Sequence, residues 1–132
     1  MQEIKLPCRL CGKVVHGRGK GRTVGMPTVN LGGISGEKLP PLGVYGSLVY
    51  VDEHIFMGVT NVGTRPSVDS ETDITVETLI LDFDEDIYGK EIAVELCCYL
   101  RPVIKMESLK AVQLQVEQDS LKVRDYFAQT VR

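Results

Sequence analysis

No run of apolar residues in the chain approaches the roughly 20 needed to cross a bilayer as a helix. The opening residues, Met1-Gln2-Glu3-Ile4-Lys5-Leu6-Pro7, carry no long apolar stretch of the kind that directs secretion. Both absences lead to the expectation of a cytoplasmic protein with no membrane attachment. Positive charge is not in excess: 15 Lys and Arg against 18 Asp and Glu give a net charge of −3. A large nucleic-acid footprint is therefore not expected. Internal repeats and low-complexity segments are lacking as well. No Gly-x-x-x-x-Gly-Lys-Ser/Thr occurs, which excludes a Walker A phosphate loop. Nor does the pairing Cys8-x-x-Cys11 with Cys97-Cys98 match a structural zinc site, because adjacent cysteines do not chelate as a spaced pair does. Free, buried thiols in a reducing compartment are the expectation.

What is present fits a single domain of 132 residues, 43% hydrophobic and 25% charged. The charge is segregated. Lys5, Arg9, Lys13, Arg18, Lys20 and Arg22 are opposed only by Glu3, whereas ten carboxylates and one lysine lie between Asp69 and Glu95. A basic end suits a compact polyanion, and a solvated charged surface is the plainer alternative.

Short extended segments separated by Gly- and Pro-rich turns fill the first three quarters. Strands are predicted at Arg9–His16, Thr28–Leu31, Val44–Val51, Ile55–Thr60, Thr75–Phe83 and Glu91–Leu100. Asp52-Glu53-His54 reads as a hairpin turn, and Asn61–Asp73 as a long loop. Six short strands in succession favour an antiparallel barrel or sandwich. The period then changes. Leu109, Val112, Val116, Val123 and Phe127 fall near one helical stripe, with Ser108 as N-cap. One helix of about five turns, Ser108 to Phe127, is predicted across one side of the barrel.

Three stretches could carry chemistry. Gly17-Arg18-Gly19-Lys20-Gly21-Arg22 combines free backbone N–H groups with three cations, which suits phosphates, although a plain connecting loop would read the same way. In Met26-Pro27-Thr28-Val29-Asn30, residues two apart face one side, so the Thr28 hydroxyl and Asn30 carbonyl converge. Two neutral oxygens suit Mg²⁺, and turn capping beside proline is the alternative. In Thr75-Val76-Glu77-Thr78-Leu79-Ile80-Leu81, Glu77 shares a face with two leucines, and that face is read as the interior one. A half-desolvated carboxylate there would be tuned to accept a proton from a hydroxyl. An edge glutamate pointing to water is the alternative.

Taken in order, these segments resemble the riboflavin kinase family, the domain that forms the C-terminal half of bifunctional FAD synthetases. The resemblance is carried by the glycine loop running into Gly25-Met26-Pro27-Thr28-Val29-Asn30-Leu31, by Gly43-Val44-Tyr45, and by Asn61-Val62-Gly63-Thr64-Arg65-Pro66-Ser67. Val76-Glu77-Thr78, Leu81-Asp82-Phe83-Asp84, Tyr88-Gly89-Lys90 and Arg101-Pro102 continue it. It implies a six-stranded antiparallel Greek-key barrel with a C-terminal helix, spanning about residues 6–102 and 108–127. It also implies transfer of the γ-phosphate of ATP to the 5′-hydroxyl of riboflavin, giving FMN and ADP.

The roles implied are specific. Gly17, Gly19, Gly21 and Arg22 would hold the ATP phosphates, Thr28 and Asn30 would bind Mg²⁺, and Glu77 would be the base. Ile80, Asp82 and Tyr88 would border adenine and ribose, with Arg101 and Met106 by the flavin. The partners implied are ATP and riboflavin, in a monomer or fused to an adenylyltransferase domain. Departures fall on the flavin side or in the flap: Met106 stands where the family usually has phenylalanine, Val103 and Ile104 replace the common Glu and Lys, and Ser67-Val68 replaces the usual Thr-Phe. A non-catalytic flavin- or nucleotide-binding module is the rival function, and a detached kinase domain the rival architecture.

Overall fold

The structure, a computed structural model, describes residues 6–15, 28–32, 34, 40–66 and 72–130. Six strands precede one helix: β1 Cys8–Val15, β2 Val29–Gly32, β3 Gly43–Val51, β4 His54–Pro66, β5 Thr72–Ile80, β6 Glu91–Arg101 and α1 Leu109–Thr130. The strands close in the order β1-β2-β5-β4-β3-β6. Every pairing is antiparallel, and β1 meets both β2 and β6 to complete the barrel. The jump of β2 to β5 is the Greek-key crossing that the resemblance implies.

Period-two alternation fills the interior with aliphatic side chains, among them Leu10, Leu31, Val49, Val62, Val76 and Val94. A seam of hydroxyls crosses this apolar space. Ser47 Oγ lies 2.8 Å from Thr60 Oγ1, which lies 2.9 Å from Thr78 Oγ1, and all three residues are fully buried. Each hydroxyl is satisfied by its neighbour, which is the condition for burying it at all.

A second core lies outside the barrel, beneath the helix. There Val44, Val59, Leu81 and Val123 are buried, with Met57, Leu79, Leu100 and Phe127 packed around them. Gly46 permits the close approach: a Cβ at that position would sit 3.3 Å from Val123 Cγ2 and 2.7 Å from Cys98 Sγ. The Ser108 hydroxyl accepts the Ala111 N–H at 3.0 Å, so it caps α1 as the sequence predicts. Leu109 is instead exposed and takes no part in the buried stripe.

Several boundaries differ from the sequence expectation: β5 begins at Thr72 rather than Thr75, and α1 runs on to Thr130 rather than ending at Phe127. The stretch from Asn61 to Pro66 is not loop but the second half of β4, paired with β5 from Asn61↔Glu77 to Pro66↔Thr72. Strand β5 stops at Ile80 rather than Phe83, because the chain turns at Asp82 with φ of 58°. None of the four cysteines is in a disulfide, but the expected burial is not seen: Cys8, Cys97 and Cys98 are half-buried and Cys11, on an outward-facing position of β1, is exposed. Burial, helped by the charge of Glu95, pushes the Cys97 thiol up to about 11, and burial raises Cys98 too. No helix among the described residues is long and apolar enough to cross a membrane.

Candidate functional site

Glu77 does not face the barrel interior. Val76, Thr78 and Ile80 take that side and are buried, which turns Glu77 outward with Thr75 and Leu79. The apolar neighbours that suggested an inner face are the footprint of α1. A barrel wall half covered by a helix has two apolar faces, and the carboxylate stands half-buried on the outer one.

Three sequence candidates meet there. Thr28 Oγ1 donates to Glu77 Oε2 at 2.9 Å, across 49 residues of chain. Asn30 is the direct partner of Glu77 in the β2–β5 register. Directly opposed residues share a face, with Cβ atoms about 5 Å apart. The pairing explains the convergence: β2 is only four residues long, and its sole route to β5 places Asn30 beside Glu77 and Thr28 at the next position out.

On its other flank Glu77 is opposed by Asn61 of β4. Sequence reasoning missed this residue, because Asn-Val-Gly-Thr-Arg-Pro reads as turn chemistry and not as strand. Continuing round the wall, Asn61 opposes Val44 of β3, and Val44 opposes Arg101 of β6. One row thus runs Asn30, Glu77, Asn61, Val44, Arg101 along the outer surface. Beside it, Gly63 leaves a notch: a Cβ there would come 3.2 Å from Asn61 Oδ1 and 3.8 Å from Thr75 Oγ1.

The remaining candidates are scattered. Ile80 packs its side chain into the barrel core, so its backbone alone can face a ligand. Asp82 is exposed and held by Arg124 of α1 through bonds of 2.9 and 3.1 Å, which keep its carboxyl below the usual range. Tyr88 is exposed, its N–H donating to Asp86 Oδ1 at 3.0 Å. The Gly89 N–H donates to Val14 O at 2.9 Å, which sets Tyr88 beside the end of β1, the strand that leads to residues 16–27. Arg101 is engaged by Asp119 of α1, its Nη2 2.8 Å from Oδ2 and its Nε 3.0 Å from Oδ1. Met106 is half-buried in the connector to α1. Gly17, Gly19, Gly21 and Arg22 lie outside the described residues, as do Ser67 and Val68.

The chain is similar to known proteins along most of its length. The sequence model of the family described as flavokinase, riboflavin kinase, matches residues 4–127. A bifunctional riboflavin kinase/FMN adenylyltransferase of Listeria monocytogenes is 31% identical over 127 residues, covering 96% of this chain and 40% of that protein. The chain spans about two fifths of the length of the curated relatives that lead the matches. A solved structure titled as a macrolide-efflux protein from Streptococcus pneumoniae superposes with a TM-score of 0.82 at 31% identity, over 89% of this chain and 38% of that one. Riboflavin kinase from Trypanosoma brucei shares the fold, with a TM-score of 0.61 at 24% identity over 91% of this chain and 79% of its own.

Proposed function

The chain belongs to the riboflavin kinase family, and on that premise we propose that it transfers the γ-phosphate of ATP to the 5′-hydroxyl of riboflavin, giving FMN and ADP. The observation that carries the proposal is the meeting of Thr28, Asn30 and Glu77 on one patch of the outer wall. Phosphoryl transfer asks a protein mainly to position its two substrates, to neutralise developing charge and to orient the nucleophile. Glu77 accepts the proton of the attacking hydroxyl. The Thr28 hydroxyl fixes one carboxylate oxygen, Oε2, and the other is the one to face the alcohol.

Thr28 and Asn30 hold Mg²⁺ in this scheme. Among the described residues no group of three or more His, Cys, Asp or Glu could cage an ion. Two neutral oxygens beside one carboxylate fit Mg²⁺, which completes its shell with water and phosphate oxygens. The ion, when bound, neutralises charge on the triphosphate. Gly17, Gly19, Gly21 and Arg22 cradle the phosphates; Asp82, Tyr88 and the backbone of Ile80 border the adenosine. The flavin lies towards Arg101 and Met106.

The direct test follows FMN formation from riboflavin, ATP and Mg²⁺. Wild-type protein should form FMN only when all three are present; tight flavin binding without turnover would favour the binding-module function. Asn30→Ala is expected to raise the Mg²⁺ concentration for half-maximal rate by about tenfold, with partial recovery at high Mg²⁺, as loss of one ligand among several predicts. A loss indifferent to Mg²⁺ would remove Asn30 from the metal.

A further inference from the structure

We infer that Asn61 reads the secondary hydroxyls of the acceptor's polyol chain and so sets specificity for a polyol-bearing alcohol. The inference rests on the kinase function proposed above and adds a residue to it. The row across the barrel wall fixes the direction of approach. Asn30 lies on β2 and Thr28 just before it, so with these two residues holding the metal of the phosphate donor, as proposed above, the donor occupies that flank of Glu77. Attacking and leaving oxygens lie roughly in line in phosphoryl transfer, so the acceptor must reach Glu77 from the opposite flank. That flank is β4, and the residue there is Asn61.

Distance then selects what Asn61 meets. Neighbouring strands are about 4.8 Å apart, so Asn61 stands one such step from Glu77 and Arg101 about three steps, roughly 14 Å, along the same row. With the terminal hydroxyl of riboflavin at Glu77, the carbons next to it lie over Asn61, because Val44, the following position in the row, is packed beneath α1 and closes the wall beyond. The first step from the terminal carbon carries secondary hydroxyls. A carboxamide offers both a donor and an acceptor, which suits hydroxyls that need one of each. Gly63, itself buried, puts no side chain against the carboxamide; a Cβ there would lie 3.2 Å from Asn61 Oδ1. Val44, the next residue in the row, is buried and apolar and has no polar group to offer.

The test is a comparison of two acceptors in Asn61→Ala and wild type. One acceptor is riboflavin; the other is a hydroxypentyl flavin, whose chain keeps only the terminal hydroxyl. Asn61→Ala should lower kcat/KM for riboflavin by about tenfold through KM, the size of a lost hydrogen bond to a substrate hydroxyl. For the hydroxypentyl flavin the two proteins should agree within about threefold, and KM for ATP should not move. Equal loss on both acceptors, with a normal thermal melt, would overturn the assignment, as would no loss on either. Should Asn61→Ala melt early, Asn61→Ser carries the same comparison, since partial unfolding scales both acceptors alike. Failure of the underlying kinase function looks different: wild type would then phosphorylate neither acceptor.

Discussion

Glu77→Gln is expected to lower the rate of FMN formation by about 10³-fold while KM for ATP and riboflavin stays within a few-fold. The substitution keeps the size of the side chain and keeps an oxygen to accept the Thr28 hydroxyl, now 2.9 Å from the carboxylate. What it removes is the ability to take up a proton. A fall in kcat with unchanged KM therefore isolates an interaction made in the transition state. Glu77→Asp sharpens the test. It keeps the proton acceptor but withdraws it by one methylene, and a displacement of about 1 Å can cost about 10²-fold. The order wild type, Asp, Gln is the signature of a positioned base. If Gln retained the full rate, Glu77 would be a spectator held by Thr28, and the outer-wall patch would have to act through the metal and phosphate contacts alone.

Glu77 could be picked out from the sequence as a candidate; the face on which it stands could not. Alternation along Thr75–Leu81 defines two faces, but both carry apolar residues, so period two cannot say which is inside. Leu79 and Leu81 are apolar because α1 covers them, a contact made by residues more than 30 positions downstream. The β3–β4 hairpin, by contrast, was legible because it is local: its turn residues sit between strands that pair from Val51↔His54 to Gly43↔Val62. The extension of β4 to Pro66 was hidden by its composition. Asn61, Gly63 and Pro66 argue against a strand one by one, yet pairing with β5 satisfies the backbone and buries Val62 completely. Tertiary pairing overrode propensity there, and the residue it uncovered, Asn61, is the one opposite Glu77. Arg101 shows a further limit. A lone arginine at a strand end reads as a pocket residue, and nothing in the sequence announces that Asp119, in the middle of a helix, is its partner.

Asp119→Ala is expected to be among the most destabilising single changes on the outer face, costing about 3 kcal/mol and lowering the melting temperature by roughly 10 °C. Asp119 is 1% exposed and accepts from Arg101 Nε and Nη2 at 3.0 and 2.8 Å and from Gln115 Nε2 at 3.1 Å. The Arg101 side chain is 14% exposed, so removing the carboxylate leaves a largely desolvated guanidinium with, among the described residues, the Pro102 carbonyl 3.1 Å from Nη1. The penalty comes from that stranded charge more than from the pair itself. Hence Arg101→Met combined with Asp119→Leu should recover most of the loss, because a buried ion pair can be replaced by apolar groups of similar volume at little cost. The function should part from the stability in this double variant. Arg101 and the Ser108 cap grip the two ends of the connector that carries Met106, and Arg101 ends the row that begins at Asn30. The refolded double variant should therefore melt near wild type yet show a raised KM for riboflavin, with KM for ATP unchanged. A normal riboflavin KM would reduce the pair to a structural clamp and move the flavin away from the end of β6.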